Sequence, residues 1–107
     1  MAWRSSGNNL QFVEGDWGIA ETVKIHGFDV TSADSFRFTF KTKRNGELIL
    51  EKVYTNLTGN SMDLAFTEAE SQLFPVGSYV YSLDWYQNNQ FMCNIVECAT
   101  LKVVDKA

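Results

Sequence analysis

The residues that could carry acid–base, nucleophilic or metal chemistry are few and far apart in this sequence. His26 is the only histidine, and it stands between a predicted strand and Gly27. A Ser-His-Asp or Cys-His arrangement would have to use it, but a place beside a turn is typical of an exposed loop histidine. No cysteine or histidine pair has the short spacing of a metal site. His26 therefore predicts neither a catalytic nor a metal site.

The two cysteines, Cys93 and Cys98, are separated by five positions. If one strand contains both, an odd separation places them on opposite faces, where their sulfurs cannot meet. We expect two reduced thiols, mostly buried, and no disulfide.

Paired carboxylates are the remaining route to acid–base catalysis, because the chain has 13 aspartates and glutamates. Glu68 and Glu70 are better explained as acids in the first turn of a helix, where they favour the helix dipole. Glu14 and Asp16 flank Gly15 and are typical of a turn. Neither type of phosphate-binding loop occurs. We predict that the chain is not an enzyme, with no catalytic residues and no cofactor.

The net charge of the chain and the length of its apolar runs limit the classes of partner that we expect. The formal net charge is −4 at pH 7, so phosphate backbones and anionic lipid surfaces would repel the chain. No run approaches the ~18 apolar residues that span a bilayer, and residues 1–9 lack the apolar stretch of a signal peptide. We expect a protein that binds neither nucleic acid nor membrane and that is assembled in the cytoplasm.

Alternation of apolar and polar residues with a period of two dominates the chain and predicts β-strands. The strands are predicted over residues 10–13, 19–25, 36–42, 48–54, 62–66, 79–86 and 91–104, the last being two strands or one bent strand. Glu21 falls on the apolar face of its strand, which indicates a sheet edge or a bulge. Asn45-Gly46 predicts a tight turn. Thr67 and Glu70 form a capping box that predicts one helical turn.

These elements must fold as one domain, since 107 residues leave room for a single core. Strands in hairpins joined by crossing connections favour an immunoglobulin-like β-sandwich over a barrel. We predict an all-β domain over residues 1–107 with about seven or eight antiparallel strands and one short helical turn. Residues 1–9 are predicted to be an irregular N-terminal segment.

The three tryptophans are the strongest candidates for binding, because tryptophan is common at interface anchors and sugar platforms. Trp85 lies on the apolar face of a predicted strand and is expected in the core. Trp17 follows a turn near a sheet edge, and Trp3 lies in the irregular segment. Trp3 and Trp17 are the predicted partner-binding residues. A sugar platform would instead use Trp17 with Tyr54 and Tyr86.

Several segments resemble small immunoglobulin-like proteins of tailed bacteriophages and prophages, including the N-terminal domains of baseplate upper proteins. Residues 66–70 (FTEAE) and 73–83 (LFPVGSYVYSL) are similar to the family's T-x-E turn and its L-x-P-G-x-Y-x-Y-x-L strand. Gly15-Asp16, residues 28–33 and Asn45-Gly46 look like its other turns. Val76 stands within the usual Pro-Gly pair, and Trp17 replaces a threonine. The resemblance implies the fold and a structural role, and it brings no catalytic residues.

The resemblance and the composition together lead to one expectation for function and one alternative. We expect a non-enzymatic structural protein of a phage or prophage tail, baseplate or neck, a virion component that acts by protein–protein contact. Its expected partners are other tail or baseplate proteins and further copies of itself. The alternative is a carbohydrate-binding or adhesin-type β-sandwich module of a bacterial surface system.

Overall fold

The computed structural model of the chain describes residues 4–6, 9–25, 29–55, 57 and 59–105. Eight strands and one short helix occur in this part of the chain. The elements are β1 (Arg4–Ser6), β2 (Asn9–Val13), β3 (Gly18–Lys24), β4 (Asp34–Lys41), β5 (Leu48–Thr55), β6 (Ser61–Phe66), α1 (Glu68–Ser71), β7 (Gly77–Gln87) and β8 (Gln90–Val104).

The strands form two sheets of unequal size. The large sheet has the order β1-β2-β8-β7-β4-β5, and the small sheet consists of β3 and β6. The small sheet packs over one face of the large one, which confirms the predicted all-β sandwich with one short helical turn. Neighbouring strands are antiparallel except β2 and β8, which are parallel with Leu10 opposite Leu101. This parallel pair departs from the all-antiparallel prediction.

The core lies between the two sheets and is built mainly from aromatic rings. β4 supplies Phe36, Phe38 and Phe40, all fully buried, from alternate positions. Phe40 stacks against Tyr81 at 5.6 Å between ring centroids and meets Phe66 edge-on at 5.4 Å. The strict alternation along β4 places three rings inward, so this strand organises the core as predicted.

A turn lies at the predicted Asn45-Gly46 position, where the Gly46 N–H donates to the Lys43 carbonyl at 2.8 Å and Asn45 has positive φ. Asn88 and Asn89 both have positive φ, as a two-residue turn between β7 and β8 requires. Thr67 accepts a hydrogen bond from the Glu70 N–H at 3.1 Å, and Glu70 accepts one from the Thr67 N–H at 2.8 Å. The predicted capping box is therefore confirmed at the start of α1.

Two local features differ from the sequence predictions. Arg4–Ser6 forms β1, paired with β2, within the segment predicted to be irregular. Its polar Arg-Ser-Ser sequence has no alternation to reveal a strand that is held by backbone pairing. Residues 90–104 form one strand, and its register against β7 shifts at three places, so β8 is bulged and bent.

Candidate protein-contact site

Trp17 projects from the connection between β2 and β3. Its side chain is 54% exposed. The connection turns where the Asp16 N–H donates to the Val13 carbonyl at 3.0 Å, and Gly15 and Gly18 take positive φ on either side of Trp17. The tight backbone bend holds the indole out from the sandwich instead of folding it over the core.

The loop between α1 and β7 lies beside this connection. Phe74 anchors the loop, since it is buried against Phe66 at 5.9 Å and Phe12 at 6.5 Å between ring centroids. The Tyr79 hydroxyl donates to the Pro75 carbonyl at 2.6 Å and fixes the other side of the loop.

Leu73 and Val76 are the apolar residues that this loop exposes. A groove of about 230 Å³ runs between the loop and the β2–β3 connection, lined by Glu14, Gly15, Ser71, Gln72, Phe74 and Pro75. The two connections are therefore neighbours at one end of the sandwich. We call the set Trp17, Leu73 and Val76 the Trp17 end. Exposed apolar groups surrounded by polar residues are typical of a protein-contact surface.

A second apolar surface lies on the first half of β8. Phe91, Met92 and Ile95 are all exposed there, and we call them the β8 patch. β2 pairs with β8 only from Leu101 onward, so among the described strands none covers this part of the β8 edge. The three register shifts fall in the same region and turn side chains away from regular alternation.

The predicted partner-binding residues have different outcomes. Trp17 is exposed, as a contact residue must be. Trp3 lies outside the described residues, as does His26. Trp85 packs against the core from the end of β7, where it is only partly buried. Sequence reasoning missed Leu73, Val76 and the β8 patch. The only signal for them was the loss of alternation around Pro75-Val76 and along residues 91–98.

The aromatic residues proposed for a sugar platform do not lie together. Tyr54 faces the interior, edge-on to Phe38 at 5.7 Å, and its hydroxyl accepts a hydrogen bond from the Ala65 N–H. Tyr86 lies at the far end of β7 and packs against Arg37 and Phe91. Trp17 is at the other end of the sandwich, roughly 30 Å away by strand length. The three rings therefore form no common platform.

The prediction that the cysteines are mostly buried is wrong. Both Cys93 and Cys98 are exposed free thiols. The small sheet has only two strands, so it leaves the first half of β8 uncovered, a consequence of tertiary arrangement that strand periodicity does not reveal. The expected absence of a disulfide between them agrees with their free state.

Other ionisable groups form ion pairs on the surface or lie in the core. Arg44, next to the Asn45-Gly46 pair, forms an ion pair with Glu97 at 3.6 Å on the surface. Burial raises the pKa of Tyr81, and the nearby charge of Glu21 raises it further. Among the described residues, no three histidine, cysteine or acidic side chains group together as metal ligands would. No described helix has the length and apolar character needed to cross a membrane.

Comparison with known proteins gives no relative: no family model, curated protein or solved structure matches the chain.

Proposed function

We propose that this chain is a non-enzymatic assembly protein that acts through protein–protein contact at the Trp17 end. The observation that carries the proposal is the exposure of Trp17, Leu73 and Val76 on two anchored connections that line one groove. A tryptophan held outward on a rigid turn loses little conformational freedom on binding, so it suits the centre of an interface.

The assembly that we propose is a phage or prophage tail, baseplate or neck. Support comes from the sequence resemblance over residues 66–83 and from the sandwich form, which presents loops at both ends. The β8 patch provides a second contact surface near the opposite end from Trp17. A subunit with apolar surfaces at two ends can join two neighbours, as members of rings and stacked assemblies do. Many copies engaged together make individually weak contacts strong.

Incorporation into particles tests this proposal. Cells that carry the gene in its natural setting are induced, tail particles are purified, and peptides of the chain are quantified by mass spectrometry. We expect the chain at a constant ratio to the tail proteins. Trp17→Ser should reduce incorporation at least tenfold, because the central apolar contact is lost.

Val53→Ser is the matched control, since Val53 on β5 is 53% exposed, nearly the same as Trp17, but lies away from the Trp17 end. It should be incorporated like the native chain. A chain that is absent from the particles and sediments as a monomer at all concentrations would contradict the proposal.

A further inference from the structure

A slot opens between the small sheet and the first half of β8. Its volume is about 280 Å³. One wall is β3 from Glu21 to Lys24, and the other is formed by Ile95 and Val96. The floor consists of core residues of the large sheet, Phe38, Tyr81 and Leu83. The slot exists because two strands are too few to cover the large sheet.

The β3 edge beside the slot is open. β3 pairs with β6 on one side, and no described strand pairs with it on the other. The far edge of β6 differs, since its Ala65 N–H donates to the Tyr54 hydroxyl at 3.3 Å. A strand edge keeps unpaired backbone donors and acceptors that another extended chain can use. The small sheet can therefore grow on the slot side.

Glu21 faces the slot from β3. The pairing of β3 with β6 shifts between Ile19 and Glu21, and the extra residue of this bulge sets Glu21 opposite Leu64, on the core side. Glu21, which does not fit the alternation of its strand, therefore lies both at a β-bulge and at a sheet edge. Among the described residues, neither a side chain nor a backbone N–H forms a hydrogen bond with the half-buried Glu21 carboxylate. Burial raises the pKa of this carboxylate.

We infer that this slot accepts an extended segment of a partner protein, which adds beside β3 as a third strand of the small sheet. Its inward side chains cover Leu83 and Val96, and one of them is a lysine or arginine that pairs with Glu21. Backbone hydrogen bonds to the β3 edge supply affinity, and the inward side chains supply specificity.

The dimensions and the charge of the slot favour this occupant. Small-ligand sites measure about 300–1,000 Å³, so this slot of about 280 Å³ lies at their lower limit, and it is open along a strand edge. A half-buried carboxylate that pairs with none of the described residues favours a cationic side chain, which would recover part of the cost of its burial.

A second copy of the chain fits less well. If β3 paired with its own copy, only side chains on the same face would meet. Lys24 lies on the outer face, opposite Ser61, while Glu21 lies on the inner face. In a register that sets the two Glu21 residues opposite each other, their carboxylates would repel, which is unfavourable in a chain of net charge −4.

Selection from random peptides tests the inference without a known partner. A yeast-displayed library of seven-residue random peptides is enriched on the purified chain, and the enriched peptides are synthesised. Their dissociation constants are measured with the native chain, Glu21→Gln and Asp63→Asn. Asp63 is the matched control, because it lies on the outer face of the same small sheet, bonded to Thr22.

We expect enriched peptides with one lysine or arginine and apolar residues two positions away. They should bind Glu21→Gln at least tenfold more weakly and Asp63→Asn within twofold of the native chain. Amide NMR shifts should change along β3 and at Ile95 and Val96. Glu21→Gln removes, at constant shape, a carboxylate that pairs with none of the described residues. The melting temperature of this variant should therefore not fall, which separates a folding defect from a binding defect.

Three results would overturn the inference: no enrichment above a library panned without the chain, enriched peptides lacking a basic residue, or equal binding to Glu21→Gln. If Glu21→Gln instead self-associates and selects no basic peptide, the role of the Glu21 charge is only to prevent aggregation through the open edge of β3. The slot is separate from the Trp17 end, so failure at either surface leaves the other proposal standing.

Discussion

The indole Nε1 of Trp85 donates a hydrogen bond of 2.8 Å to the Oδ1 atom of Asp34, joining the end of β7 to the start of β4. Asp34 is only 1% exposed. Its carboxylate also accepts bonds from the Thr31 N–H at 3.0 Å and from the Gln87 amide at 3.4 Å. One buried carboxylate thus fixes the preceding loop and both strands.

This network predicts how stability depends on pH. Burial acts to raise the pKa of Asp34, but the hydrogen bonds from Thr31, Trp85 and Gln87 outweigh it and lower the pKa below 3.8. Because the pKa is lower in the folded state, the contribution to stability is present above pH 3.8 and is lost as pH falls through the folded pKa.

Asp34→Asn should lower the free energy of unfolding by about 1–3 kcal/mol at neutral pH, since buried donors lose a charged acceptor. The difference from the native chain should shrink as the pH falls below 3.8. Urea unfolding at a series of pH values measures both. A difference that stays constant down to pH 2.5 would show that the Asp34 charge contributes nothing.

The ion pair between Lys52 and Glu70 should stabilise the packing of α1 on β5. The Lys52 Nζ lies 2.8 Å from Glu70 Oε1, and the two side chains are only 17% and 23% exposed. A double-mutant cycle with Lys52→Met and Glu70→Gln should give a coupling energy of about 1 kcal/mol, because partial burial limits solvent screening.

Arg44 and Glu97 provide the control pair for this cycle, since they lie 3.6 Å apart with side chains 73% and 77% exposed. Arg44→Met and Glu97→Gln should couple by less than about 0.3 kcal/mol. Equal coupling energies in the two pairs would contradict the assigned role of burial.

The aromatic core should depend heavily on Phe40. Phe40→Ala removes a fully buried ring that contacts Phe66, Phe74 and Tyr81, so we expect a loss of about 3–5 kcal/mol in unfolding free energy. Phe91→Ala, at an exposed ring, should change it by about 0.5 kcal/mol. Similar losses at the two positions, measured by urea unfolding, would contradict the placement of the core.

The exposed cysteines should react in the native state. Cys93 and Cys98 are free and accessible, so a thiol reagent such as DTNB should titrate two thiols per chain without denaturant. Cys93→Ser and Cys98→Ser should each remove one. A thiol that reacts only after unfolding would restore the sequence-based expectation of burial.

The sequence predicted the elements well because their causes are local. The alternation of Phe36, Phe38 and Phe40 and the capping box of Thr67 and Glu70 depend only on neighbours in the chain, and both predictions are confirmed. The tertiary arrangement could not be predicted in the same way. The parallel pairing of Leu10 with Leu101 joins residues from the two ends of the chain, and no periodicity specifies it.

The residues of the candidate sites could be predicted from the sequence only in part, because their exposure depends on the tertiary arrangement. Trp17 could be singled out by its residue type and adjacent turn. Leu73, Val76 and Phe91 are apolar residues of the kind that usually enter a core, and their exposure depends on the tertiary arrangement. The sequence singled out Glu21 because it interrupts the apolar face of its strand. Its position beside the slot could not be predicted, because that position depends on how the two sheets pack.

Site-specific photocrosslinking at the Trp17 end tests the assembly role most directly. A photoreactive benzoylphenylalanine replaces Leu73, which keeps Trp17 intact, and a second variant carries it at Val53 as the control; both are expressed and irradiated during particle assembly. The account predicts that the Leu73 position captures a tail protein or a second copy, while the Val53 position captures little. No adduct from Leu73, or equal yields from the two positions, would contradict it.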